Sequence, residues 1–335
     1  MSTEKPVIAI VAGGDSGEYD ISVKSAAVVK NHLDRTILDT YLVIIKGKDW
    51  NLVTDDGLAF PVDKDNFTVE LPGRTVRFDG VFIAVHGTPG EDGKLQGYFD
   101  MLKIPYNCCG VLQAALTFDK LRCKEYLAAF GVRTGKGVLL KREDWKKSGQ
   151  TLSVDLPLPV FVKPNKNGSS YGAAKVSEAA DLAPAIANAF NYDDEILVEE
   201  YLKGTEVTCG VIRVNGKITA LPITEIRSKS EFFDYKAKYE GASQEVTPAE
   251  IDRELALKIQ QTSAAIYEKL DFKGMCRIDY IIRGNEYFML EVNSIPGLSE
   301  ESIVPQQAKA YGLTLEELFG NSIEECITAV ATATA

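Results

Sequence analysis

The sequence predicts an α/β protein of two or three packed domains. Three observations carry this. Short, continuous apolar runs alternate with helix-patterned segments over residues 7–108. The chain has 335 residues, longer than the roughly 250–300 at which single cores stop growing. Hydrophobic residues make up 45% and charged residues 25%, the balance of an ordinary globular protein.

In chain order, Val7–Val11 reads as a buried strand, followed by the turn-like Gly13-Gly14-Asp15-Ser16-Gly17. Ile21, Ser25, Val28, Val29 and Leu33 then fall on one helical face. Tyr41–Ile45 and Val81–Val85 are further strands, and Gly97–Lys103 belongs to a helix. This is βαβ material, so an open α/β sheet is expected up to residue 108. Asp119–Phe130 carries a helix pattern ended by Gly131. Val160–Val162 leads into Lys163-Pro164 and a polar loop before Ala173–Val176 resumes a strand, so a hairpin with a long tip is expected. Ile196–Glu199 is another strand. Thr247-Pro248-Ala249-Glu250 has the form of a capping box with Pro at the first helical position. Helical spacing follows through Ile251, Leu255, Ile259, Thr262, Ile266 and Leu270. Arg277–Ile282 and Tyr287–Val292 read as a hairpin around Gly284-Asn285.

Charge and composition exclude several classes. Lys and Arg number 37 against 48 Asp and Glu, a net charge of −11. That argues against a nucleic-acid partner, because counterion release needs clustered cations. Two histidines, His32 and His86, rule out a multi-histidine metal site. No apolar run approaches the roughly 18–20 residues of a membrane span, so no membrane partner is expected. Cys108, Cys109, Cys123, Cys209, Cys276 and Cys326 form no C-x-x-C pair and read as reduced thiols of a cytoplasmic protein. The apolar run at Val7–Ala12 is too short for a signal peptide, which agrees with that location.

Three segments carry chemistry. Asn165–Gly172 lies between two strands just after Lys163. Its two glycines let the backbone approach an anion, and its hydroxyls and N–H groups can bind phosphate oxygens. A surface hairpin is the plainer reading of that loop taken alone. Second, Arg277 with Asp279 and Glu291 with Asn293 are pairs two apart, so each pair shares a strand face. Two carboxylates and an amide oxygen suit Mg²⁺ bridging nucleotide phosphates. A two-residue turn at Gly284-Asn285 would oppose Asp279 to Leu290 and send Glu291 to the other face. An odd connection, such as Arg283-Gly284-Asn285, would oppose Arg277 to Glu291 and bring all four polar groups together. We therefore expect an odd loop or a bulge, with Ile278, Tyr280, Ile282, Leu290 and Val292 on the apolar side. Third, His86–Gly93 follows a buried strand, where ligands of open sheets sit. Glu18 holds the equivalent place after the first strand, although an acid at a helix start is commonly a cap.

Together these segments resemble the D-alanine–D-alanine ligases of the ATP-grasp superfamily. The matching stretches are Gly13–Glu18, His86–Gly97, Asp119-Lys120, Val162–Pro164, Gly168–Gly172, Phe233–Tyr239, Arg277–Asp279, Glu291–Gly297 and Ser302–Pro305. They follow the family's order over residues 13–305. The resemblance implies a three-domain ATP-grasp architecture with the active site in a central cleft. Residues 1–108 would bind the first substrate, 109–198 would carry the phosphate-binding hairpin, and 199–335 would carry the lid, metal ligands and oxyanion hole.

The implied reaction joins two D-alanines through an acyl phosphate, releasing ADP and phosphate, for peptidoglycan precursor synthesis. By resemblance, Lys120, Lys163 and Ser170 hold the phosphates of ATP. Glu199, Glu200 and Leu202 frame adenine, and Glu206 the ribose. Asp279, Glu291 and Asn293 bind two Mg²⁺ ions, with Mn²⁺ as a substitute, while Arg277 and Gly297 form the oxyanion hole. Glu18 takes the ammonium of the first D-alanine and is bridged by Ser169 to Tyr239. His86 and Glu91 line the same cleft, and Lys238, Ser302 and Ile303 bind the second substrate. Tyr239 favours a dipeptide over a D-lactate product, and Glu225–Thr247 would be a lid over ATP. Such enzymes are usually homodimers. Another carboxylate–amine ligase, or a silent nucleotide-binding module, would not need all of these residues.

Overall fold

The computed structural model describes residues 5–149, 154–228 and 243–333. Three sheets succeed one another along the chain. The first part comprises β1 (Val7–Gly13), α1 (Tyr19–His32), β2 (Asp39–Lys46), β3 (Asp49–Val53), β4 (Ala59–Asp63), β5 (Thr68–Leu71), β6 (Arg74–Arg77), β7 (Gly80–Ile83) and α2 (Lys94–Leu102). Its strand order is β6-β5-β4-β3-β2-β1-β7. β1 lies parallel to both β2 and β7. Side chains from Ile8 to Ala12 are completely buried, as expected of a parallel strand covered on both faces. The antiparallel meander β3–β6 has no counterpart in the sequence reading, because its short strands carry many exposed residues.

The buried face of α1 is Ser22, Ser25, Ala26 and Val29, one step round from the apolar face read from the sequence. Two serines belong inside because each is bonded there. Ser22 Oγ accepts from Gly13 N at 2.8 Å and donates to the Ala84 carbonyl at 2.7 Å, which ties α1 to the strand ends.

The second part comprises α3 (Val111–Phe118), α4 (Lys120–Ala128), β8 (Gly137–Lys141), α5 (Arg142–Lys147), β9 (Val160–Pro164), β10 (Ala174–Val176), α6 (Ala179–Ala189) and β11 (Glu195–Glu200). Its antiparallel sheet runs β10-β9-β11-β8, around a core that includes Trp145, Val160, Val162 and Phe190. Asp119 caps α4, its carboxylate accepting from Arg122 N at 3.1 Å. Through Ala114, Cys123 and Leu127, α3 and α4 join the core of the third sheet.

The third part comprises β12 (Thr205–Val214), β13 (Lys217–Ala220), β14 (Thr224–Ser228), β15 (Ser243–Val246), α7 (Arg253–Lys269), β16 (Cys276–Arg283), β17 (Glu286–Asn293), α8 (Ile303–Tyr311) and α9 (Leu315–Ala333). The sheet runs β15-β14-β12-β16-β17, with β13 alongside β12. Val304 and Phe319, from α8 and α9, return to the core beneath α1 and the first sheet. Contrary to the capping box read at Thr247, α7 starts at Arg253 and is capped by Asp252, whose carboxylate accepts from Leu255 N at 2.9 Å. The Thr247 hydroxyl is bonded instead to Thr224 Oγ1 at 2.6 Å, and Ala249 N donates to the Ile223 carbonyl, so this stretch extends beside the sheet. The two ends of the expected lid are the paired strands β14 and β15. Among the described residues, no helix is long and apolar enough to cross a membrane.

Candidate active site

The hairpin β16–β17 gathers the polar face by a bulge. Its turn is the two-residue Gly284-Asn285, with Gly284 at φ +63° and Arg283 opposite Glu286. Tyr280 opposes Met289, but Asp279 opposes Glu291, so Leu290 is the extra residue. Arg277 consequently faces Asn293, not Glu291 as an odd loop would require. Leu290 leaves the apolar side expected for it and lines the cavity on the polar side. Arg277 grips Asp279 with two bonds of 2.8 Å, while Thr208 Oγ1 and Asn293 Nδ2 donate to the same carboxylate at 2.5 and 3.0 Å. Such a two-pronged guanidinium pair fixes the carboxylate in orientation as well as in charge.

Lysines face this hairpin from α4 and β9. Lys120 Nζ lies 3.5 Å from Glu291 and donates to the Asn167 carbonyl at 2.6 Å. Lys163 Nζ lies 2.6 Å from Glu199, whose other oxygen is ion-paired with Lys124. Burial opposes ionisation of all three groups. The neighbouring lysines overcome it for Glu199, whose pKa is lowered. The carboxylates of Glu199 and Glu291 overcome it for Lys163, whose pKa is raised. Burial, aided by the Lys163 charge, lowers the Lys124 pKa against the pull of Glu199, to which its Nζ stays bonded.

The loop after β9 turns back on the first sheet. Ser169 and Ser170 both adopt the left-handed region, at φ +51° and +56°, which L-residues rarely enter. That turn aims Ser169 Oγ at Glu18, to which it donates. A Cβ on Gly168 would stand 2.5 Å from Glu18 Oε2, so a larger residue there would push the Glu18 carboxylate aside.

His86 and Glu91 hold one residue of another loop between them. His86 Nδ1 donates to the Ile295 carbonyl at 3.0 Å, while Glu91 accepts from Ile295 N at 3.2 Å and Gly87 N at 2.8 Å. A carbonyl only accepts, so Nδ1 carries the hydrogen. Burial lowers the His86 pKa, leaving Nε2 to accept from Ser25 Oγ at 3.0 Å. Burial, reinforced by the Glu18 charge, pushes Glu91 up to about 7. Downstream, Gly297 packs against Ser302, where a Cβ would stand 2.8 Å from Ser302 Oγ. Ser302 precedes Ile303, the first residue of α8.

Between the second and third sheets lies a 460 Å³ cavity, bordered by Lys120, Lys163, Ser169, Ser170, Asp279 and Glu291. Residues 7–109 match the family described as D-ala D-ala ligase N-terminus, and residues 126–324 match D-ala D-ala ligase C-terminus. A D-alanine–D-alanine ligase from Flavobacterium johnsoniae is 47% identical over 317 residues, 95% of this chain and 98% of that one. The chain belongs to the D-alanine–D-alanine ligase family. The VanG D-Ala:D-Ser ligase from Enterococcus faecalis superposes with a TM-score of 0.85 at 31% identity, covering 96% of this chain and 99% of that one. The D-alanine–D-alanine ligase from Bacillus anthracis complexed with ATP gives 0.77 at 26% identity, over 98% and 100%. The architecture of this D-alanine–D-alanine ligase family member is that of the ATP-grasp enzymes.

Half of the residues singled out in the sequence border this cavity. Glu200, Leu202 and Glu206 border the same cavity as Lys120 and Lys163. The side chain of Glu199 is taken up by two lysines, and both ring nitrogens of His86 are bonded within the protein. Lys238 and Tyr239 lie outside the described residues. Lys124 and Thr208 were missed. Lys124 stands one helical turn after Lys120 on α4, which was the available signal; Thr208 lies on β12, which the sequence reading did not find.

The donor set also bears on metal binding. Among the described residues, no three of His, Cys, Asp and Glu gather into a metal cage. Asp279, Glu291 and Asn293 nevertheless offer two carboxylates and an amide on one face. That set fits Mg²⁺, which keeps several waters and takes its remaining oxygens from bound phosphates.

Proposed function

We propose that this chain joins two molecules of D-alanine into D-alanyl-D-alanine, converting ATP to ADP and phosphate, in the synthesis of peptidoglycan precursors. One observation carries the reading: the lysines, the carboxylates of Asp279 and Glu291, and Ser169, which donates to Glu18, border one cavity. Family membership over nearly the whole chain supports it.

In the first step, a carboxylate oxygen of one D-alanine attacks the γ-phosphorus of ATP and ADP leaves, giving an acyl phosphate. In the second, the amine of another D-alanine attacks the acyl carbon, and the tetrahedral intermediate expels phosphate. Both steps build negative charge, so fixed cations and N–H donors do the main work. Lys120 and Lys163 would hold the phosphates, with Ser170 donating beside them. Glu200 and Leu202 would border the adenine, with Glu206 at the ribose. Asp279, Glu291 and Asn293 would hold two Mg²⁺ ions, which supply neutralisation of the phosphate charge. Arg277 and Gly297 N–H would face the developing oxyanion. Glu18, oriented by Ser169, would take the first ammonium. Ser302 and Ile303, at the start of α8, would receive the second substrate. His86 and Glu91 would act through Ile295, holding the loop that leads to Gly297.

We also place the reaction in the cytoplasm, consistent with six free, buried cysteines, and infer a homodimer from the resemblance. The deciding experiment measures ADP and phosphate release with Mg-ATP and identifies products by mass. D-Alanine, L-alanine, and D-alanine with D-lactate or D-serine would be compared. Dipeptide formation strictly dependent on D-alanine is expected. ATP binding without turnover on any of these would overturn the assignment.

A further inference from the structure

Lys124 does not border the cavity, yet it is bound to a group that does. It is 3% exposed on α4, and its partner Glu199 is 4% exposed on β11. One Glu199 oxygen takes Lys163 Nζ at 2.6 Å and the other takes Lys124 Nζ. Two lysines therefore share one buried carboxylate, and with both protonated, the state their bonds to Glu199 favour against burial, the cluster carries one net positive charge. Without Lys124, Glu199 would cancel Lys163, and an incoming polyphosphate would meet a neutral pair. Inside a protein that difference is felt strongly, because charges a few ångströms apart are screened far less than in water.

We propose that Lys124 is a positioning residue for nucleotide binding: it holds Glu199 from behind the cavity and leaves Lys163 with an uncancelled charge toward the phosphates. The two contacts also fix the carboxylate from both ends, so Glu199 cannot swing into the space that the nucleotide takes. This rests on reading the cavity as the ATP site, and not on the identity of the amino-acid substrate. A purely structural lysine would make the same contacts but would respond differently when the carboxylate is removed as well.

The test is the affinity of the full chain for a non-hydrolysable ATP analogue with Mg²⁺, measured by calorimetry without amino acid. Thermal unfolding is recorded for each variant. Lys124→Met should bind at least about tenfold more weakly than wild type. In a Glu199→Gln background, whatever that change costs by itself, adding Lys124→Met should cost less than about twofold more, because no carboxylate is left to cancel Lys163. Wild-type affinity in the Lys124→Met variant, or a loss of about tenfold from Lys124→Met in the Glu199→Gln background as well, would overturn the proposal. Should Lys124→Met not fold, Glu199→Gln and the double variant decide between them: equal affinity supports the proposal and an affinity about tenfold lower in the double sinks it. A wild-type chain that does not bind the analogue overturns the ATP site itself. One that binds the analogue but makes no dipeptide overturns only the substrate assignment.

Discussion

Ser169 donates its hydroxyl to the carboxylate of Glu18, a residue 151 positions earlier, closing the loop after β9 onto the start of α1. One sheet thereby orients an acid presented by another. A hydrogen bond to an ionised group is worth about 1.5–3 kcal/mol. Ser169→Ala should therefore weaken use of the first D-alanine by roughly 10- to 100-fold, while affinity for the ATP analogue stays near wild type. Steady-state kinetics with D-alanine varied at saturating ATP will show it. An equal loss of nucleotide affinity would place Ser169 with the phosphates instead.

The Leu290 bulge makes an unusual prediction about deletions. Removing Leu290 leaves Met289 opposite Tyr280 and Glu291 opposite Asp279, the partners they already have. The polar face then survives in a regular ladder. Removing Val292 instead moves Asn293 to the face away from Glu291, because side chains alternate along a strand. The Leu290 deletion should keep Mg²⁺-dependent analogue affinity within about tenfold of wild type. The Val292 deletion should lose about 100-fold or more. Calorimetry on both, with melting temperatures recorded, separates lost register from lost folding.

What was legible in the sequence follows from what each residue's neighbours are. The parallel strands β1, β2 and β7 could be read because burial on both faces leaves unbroken apolar runs. The meander β3–β6 could not, since strands of four or five residues with exposed side chains share the composition of loops. Arg277, Asp279, Glu291 and Asn293 were found through a period of two within one hairpin. Lys124 was not, because its meaning depends on Glu199, 75 residues away. The start of α7 was misplaced because Thr247 and Asp252 both suit a cap, and only the bond from Thr247 to Thr224 on β14 separates them. His86 and Glu91 were placed in the cleft by resemblance. Their shared hold on Ile295 spans more than 200 residues of chain and has no local signature.

Asp279 tests the metal assignment. Its carboxylate is oriented by Arg277, Thr208 and Asn293. Asp279→Asn keeps the shape but removes a charge from a donor set of two carboxylates and an amide. Chelation with EDTA should abolish wild-type turnover, and Mg²⁺ should restore it. In the variant, the Mg²⁺ concentration for half-maximal rate should rise by on the order of tenfold or more, with kcat down by about 100-fold. An unchanged Mg²⁺ requirement would remove Asp279 from the ligands.

Glu91 gives the protein a pH dependence of predictable sign. Burial and the nearby Glu18 raise its pKa from an ordinary 4.5 to about 7 in the folded chain. Between those values the folded state binds more protons than the unfolded state. The Glu91 contribution to stability therefore falls as pH rises from about 4.5 to 7 and is constant above that window. A shift of this size corresponds to on the order of 3 kcal/mol across the window. Glu91→Gln removes the titration. It also turns an amide N–H₂ toward Gly87 N or Ile295 N, losing one hydrogen bond at a cost of about 1 kcal/mol. Urea unfolding of both proteins at pH 5, 6, 7 and 8 should show the wild-type advantage over the variant shrinking with pH up to about 7. Parallel stability curves would mean that Glu91 stays ionised throughout, and that its bonds to Gly87 and Ile295 outweigh its burial.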